Sequence, residues 1–100
     1  MSKPENFFSE EEIEEIEALH DGTEAMSVNG EQIICFRILH GLVQKKIKIT
    51  DVSRIELLTA YAQLKGIINT FDSWGFVDTK LLGVIVNKAK GLFLSELEKR

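Results

Sequence analysis

The sequence predicts an all-α protein, a compact bundle of about four helices over approximately residues 9–21, 30–48, 51–73 and 78–98. Three observations predict it. Apolar residues recur at steps of three and four along most of the chain, the period of a helix with one buried face. Ser-x-x-Glu pairs stand before two of these stretches, where a helix start needs them. The only proline is Pro4, so no ring interrupts the chain beyond it. One hundred residues suffice for one core, which leaves residues 1–8 as a flexible N-terminus and 9–100 as a single helical domain.

The first helix opens on Ser9 and Glu12, each side chain placed to satisfy a backbone N–H that the helix start leaves exposed, with Phe8 and Ile13 as the apolar staple across the cap. Glu10, Glu11 and Glu12 occupy the first turn, where the helix dipole favours negative charge. Gly22 predicts a left-handed stop after His20 and Asp21. Ile13, Ile16 and Leu19 make a narrow apolar stripe, so this helix is expected to lie on the surface of the bundle.

The second stretch has two readings. Asn29-Gly30 is a hairpin signal, and strands within residues 24–36 can pair across it. Alternatively Asn29 caps a helix, with Gln32 closing the box. The downstream pattern favours the helix. Arg37, His40, Gly41, Gln44, Lys45 and Lys48 make one polar face, while Ile34, Cys35, Ile38, Leu39, Leu42 and Val43 make the opposite one. The third helix starts at Thr50 or Ser53. Ser53 with Glu56 forms a second capping box, and Leu57, Tyr61, Leu64, Ile68 and Phe71 follow as a heptad-like seam widened by Leu58, Ala60 and Ile67. Gly75 ends it. Asp78 is expected to cap the fourth helix, in which Leu82, Ile85, Ala89, Leu92 and Phe93 line one face. Leu81, Val84 and Leu94 remain as a second, smaller apolar strip.

Charge divides the chain. Residues 1–31 hold ten acids and one base, a net −9, while residues 32–100 carry a net +5, within a total of −4. The acids form a ridge of Glu10, Glu11, Glu14, Glu15 and Glu17. The bases gather as Arg37, Lys45, Lys46, Lys48 and Arg54. Either the acidic helix folds across the basic face, or it presents a negative ridge to a basic partner and steers association.

The sequence points to no chemistry. His20 and His40 are the only histidines, read as solvent-exposed helix-end residues, and they fall short of the ligands a metal site needs. The glutamate run reads as solvated carboxylates, whereas acid–base work needs a carboxyl in a pocket. The glycines are isolated and form no phosphate loop. Cys35 is the single cysteine, read as a small buried apolar residue. The acidic start is no secretory signal, and the apolar run at Leu81–Val86 is too short to span a membrane, so a cytoplasmic setting follows by elimination.

The expectation is therefore a non-enzymatic protein–protein interaction module without cofactor or metal, a regulator or inhibitor of a partner protein, homo-oligomeric. Phe7, Trp74 and Phe76 are its candidate aromatic anchors, since aromatic residues dominate interface hot spots; the alternative is that they pin their segments onto the core. One alternative is nucleic-acid binding through the basic face, with the acidic helix as a lid. The other is a small-ligand site between helices. Nothing in the sequence is specific enough to name a family.

Overall fold

The computed structural model describes residues 7–24, 27–28, 31–74 and 79–100, with side chains over 7–24, 32–69 and 80–100. Within them the chain forms an all-α bundle of helices α1 (Glu10–Thr23), α2 (Cys35–Val43), α3 (Arg54–Trp74) and α4 (Thr79–Lys99). A 3₁₀ turn spans Ile49–Asp51, and two short strands, β1 (Ser27–Val28) and β2 (Glu31–Gln32), pair antiparallel with Ser27 opposite Gln32.

Helix α1 begins as its sequence predicts. The Glu12 backbone N–H donates to Ser9 Oγ at 3.1 Å, and the Ser9 N–H donates to Glu12 Oε1 at 2.9 Å. Phe8 is buried, and Ile13 packs against the core. The helix does not stop at Gly22. It continues to Thr23, whose buried Oγ1 donates back to the Leu19 carbonyl at 2.7 Å and so is satisfied.

The short hairpin is present, and it moves the start of α2 from residue 30 to Cys35. Ile34, at the cap position, offers no side-chain acceptor; Gln63 of α3 supplies it instead. Its Oε1 accepts from the backbone N–H groups of Ile34 (2.9 Å) and Cys35 (3.2 Å), and its Nε2 donates to the Gln32 carbonyl at 2.8 Å. One amide thus closes the start of α2 and ties β2 to α3.

The expected run of α2 to residue 48 is also corrected. Lys45 adopts a left-handed conformation (φ 59°). The Lys45 N–H donates to the Leu42 carbonyl and the Lys46 N–H to the Gly41 carbonyl, the paired bonds of a Schellman stop. Ile47 then folds back over Gly41, whose missing side chain makes room: a Cβ there would lie 3.0 Å from Ile47 Cδ1 and Cγ1. Lys45, Lys46 and Lys48 therefore leave the helix.

Ser53 caps α3 through the Glu56 N–H at 3.1 Å, while Thr50 sits in the preceding 3₁₀ turn. Helices α3 and α4 run antiparallel. Each has 21 residues, about 31 Å at 1.5 Å per residue, yet the molecule measures 36 × 31 × 20 Å. Arg100, just past α4, donates to the Ile49 carbonyl just before α3, which closes that end. The core gathers Ile16, Leu19, Phe36, Leu39, Leu57, Leu64, Leu82, Ile85 and Phe93 from all four helices. Leu81 packs against this core and Leu58 turns outward, which corrects the expectation that Leu58 widens the core stripe of α3 and that Leu81 belongs to the outer strip of α4. The expected helix stop at Gly75 and the Asp78 cap lie outside the described residues.

Candidate interaction surfaces

The acidic ridge is where α1 was expected to present it. Glu10, Glu11, Glu14 and Glu17 are exposed and Glu15 is half-buried. Glu12 differs from them. Its carboxylate is buried and accepts from Lys88 Nζ of α4 at 2.7 Å. Lys88 also donates to the Phe7 carbonyl at 3.2 Å and lies 5.8 Å from the ring centres of Phe7 and Phe8, which meet edge to face. Burial alone would raise the Glu12 carboxyl. The hydrogen bonds from Lys88 and Ser9, with the Lys88 charge, outweigh burial and hold it below its ordinary value. Phe7 remains 47% exposed, half anchor for Lys88 and half open to solvent. The Trp74 side chain and Phe76 lie outside the described residues.

The bases do not form one helical face. Arg37 is exposed on α2 and donates to Glu56 Oε2 of α3 at 3.2 Å. Lys45, Lys46 and Lys48 are exposed in the turn after α2, and Arg54 opens α3. Asp51 accepts from the Lys48 backbone at 3.1 Å, which brings an acid among them. A groove of about 360 Å³ runs between this turn and α3, lined in part by Arg37, Lys46, Ile47, Val52 and Glu56.

Both histidines lie in the last turns of their helices, as expected, but they are not solvent-exposed. They meet between α1 and α2 as a parallel stack, ring centres 4.5 Å apart and planes 3° apart, and their side chains are 21% and 18% exposed. His20 Nδ1 faces Asp21 at 3.4 Å and His40 Nε2 faces Glu17 at 3.9 Å, and neither nitrogen is hydrogen-bonded. The flat rings pack as apolar surfaces. Two aligned faces direct their lone pairs sideways and do not converge on one point, and among the described residues no group of three or more potential metal ligands is assembled. Cys35 is fully buried, and burial pushes its thiol up to about 12, so it is inert at neutral pH.

The remaining surface is the outer side of α3 and α4. Ile55 (76%), Leu58 (44%), Val84 (44%) and Leu94 (41%) are exposed there. Glycines sit among them in the helix interiors: a Cβ built on Gly66, Gly83 or Gly91 would meet nothing within 4 Å. A glycine in the middle of a helix weakens it by about 1 kcal/mol relative to alanine. Among the described residues, packing does not require the absence of a Cβ at these three positions.

Sequence reasoning missed Gln63, Lys88 and the histidine stack. Each joins residues far apart in the chain, and no local spacing marks such a pair. The outer face of α4 had a local signal in Val84 and Leu94. No helix among the described residues is long and apolar enough to cross a membrane. No protein-family model, curated protein or solved structure matches the chain.

Proposed function

We propose that this protein is a non-enzymatic protein–protein interaction module that regulates a partner by docking the outer face of α3 and α4. One observation carries the reading: exposed Ile55, Leu58, Val84 and Leu94 lie on the side of these helices where mid-helix glycines face open space. Apolar side chains supply association free energy when covered, and glycines let a second backbone come close. The acidic ridge of α1 adds long-range attraction for a basic partner and affects how fast it arrives more than how tightly it stays. The lone buried thiol of Cys35 asks for no oxidising compartment, which fits a cytoplasmic setting.

Affinity capture with the full chain, at low and at high salt, tests the reading. A partner held by the wild type and lost with Leu58→Glu and Leu94→Glu supports it, since both side chains are exposed and the substitutions spare the core. Retention that is indifferent to both substitutions and vanishes at high salt would move the binding to the charged surfaces. Nucleic acid recovered with Arg37 and Lys46 as determinants would replace the reading altogether.

A further inference from the structure

Helix α4 carries two seams. Leu82, Ile85, Ala89 and Phe93 are buried in the core. On the opposite side Lys80, Val84, Asn87, Gly91, Leu94 and Glu98 follow one another at steps of 4, 3, 4, 3 and 4, and all six are exposed. Alternating steps of three and four are what a helix needs to hold a second helix along its length. Val84 and Leu94 are the apolar positions of this outer seam, and a Cβ on Gly91 meets nothing within 4 Å among the described residues.

The seam also reads alike from both ends. Its midpoint lies at the level of Ala89, and residues equally far from that level are complementary: Lys80 with Glu98, Val84 with Leu94, Asn87 with Gly91. A two-fold axis across an antiparallel helix pair sets each residue opposite its mirror position in the sequence. On the module reading above, we infer that the occupant of this face is a second copy of the chain, docked antiparallel through α4. In that pairing Val84 covers Leu94 of the second copy, the Asn87 amide sits over Gly91, and Lys80 meets Glu98, each contact made twice. Parallel pairing would set lysine against lysine and glutamate against glutamate. A partner of different sequence would give the seam no reason to match itself end for end.

Sedimentation of the full chain and its variants tests the inference. The wild type is expected to dimerise. Gly91→Leu is expected to fold at least as well, because leucine is the better helix former and the site is open in the single chain, yet to weaken the dimer roughly tenfold or more. Lys80→Glu and Glu98→Lys are each expected to weaken it by like-charge contact, and an equimolar mixture of the two to regain it. Cross-linking fixes the register. Buried Cys35 leaves an engineered thiol as the reactive one. A short thiol cross-linker should join a Val84→Cys chain to a Leu94→Cys chain but neither variant to itself, because the two like positions lie about 15 Å apart along the antiparallel pair. A wild type that stays monomeric at high micromolar concentration, a Gly91→Leu chain that dimerises unchanged, or Val84→Cys chains that cross-link to one another would each overturn the antiparallel pairing. The module reading fails separately, when a captured partner survives both Leu58→Glu and Leu94→Glu.

Discussion

Glu12 belongs to the start of α1 and to the joint with α4. Its carboxylate closes the capping box with Ser9 and accepts from Lys88, while its neighbours Glu10, Glu11 and Glu14 face solvent. Its lowered carboxyl pKa fixes the sign of a pH effect. The unfolded chain binds this proton more readily than the native one, so the stabilisation is complete above the ordinary value of 4.5 and is lost as acid titrates the native group. Glu12→Gln should therefore cost about 1 kcal/mol at pH 7 and flatten part of the acid limb of stability, measured by urea unfolding between neutral and acidic pH. Gln63 is a sharper case. Gln63→Leu leaves the Ile34 and Cys35 N–H groups and the Gln32 carbonyl without their partner, and should lower stability by about 2 kcal/mol in the same assay. Lys45 pulls the other way. Its left-handed backbone suits glycine, so Lys45→Gly should raise stability by up to about 1 kcal/mol.

At the scale of an element, what the sequence discloses depends on where each partner sits. The starts of α1 and α3 were legible because Ser9 and Glu12, and Ser53 and Glu56, lie three residues apart, and the caps are found there. The start of α2 was not, because its cap comes from Gln63, 28 and 29 residues on from the two N–H groups it accepts. Its end is hidden in the sequence for a related reason. Lys45, Lys46 and Lys48 continue the polar period of the helix, and only the fold of Ile47 onto Gly41 shows that the backbone has turned. The helical period of α4 marks its buried face, and it marks Val84 and Leu94 as surplus to that face. What remained hidden was that Leu81 leaves this strip for the core and that Leu58 of α3 turns outward. One expected outcome belongs to these helices. Gly66→Ala should raise the thermal stability of the chain by about 1 kcal/mol, because the methyl meets nothing and the helix interior gains propensity. No gain in a melting experiment would mean that the outer side of α3 is more crowded than its geometry shows.

For the whole molecule, charge and apolar surface are divided between different sides. The acidic run lies on α1, which reaches α4 through Lys88 and α2 through the histidine stack, while four of the exposed apolar residues, Ile55, Leu58, Val84 and Leu94, lie on α3 and α4 and Phe7 and Ile47 lie elsewhere. The division of charge is legible along the sequence and leaves two resolutions open; of these, acids of α1 laid across the basic set of α2 is not what joins the two helices among the described residues. Arg37 turns to Glu56 of α3, and the described α1–α4 ion pair uses the one glutamate of the run that is buried. The exposed ridge is thereby left available for steering, and the outer faces of α3 and α4 for docking. Dependence of the melting temperature on protein concentration tests this arrangement most directly, because a native state stabilised by self-association melts higher as concentration rises. Such a rise is expected for the wild type, and its absence in Gly91→Leu. A wild-type melting temperature that stays constant over the accessible concentration range would contradict it.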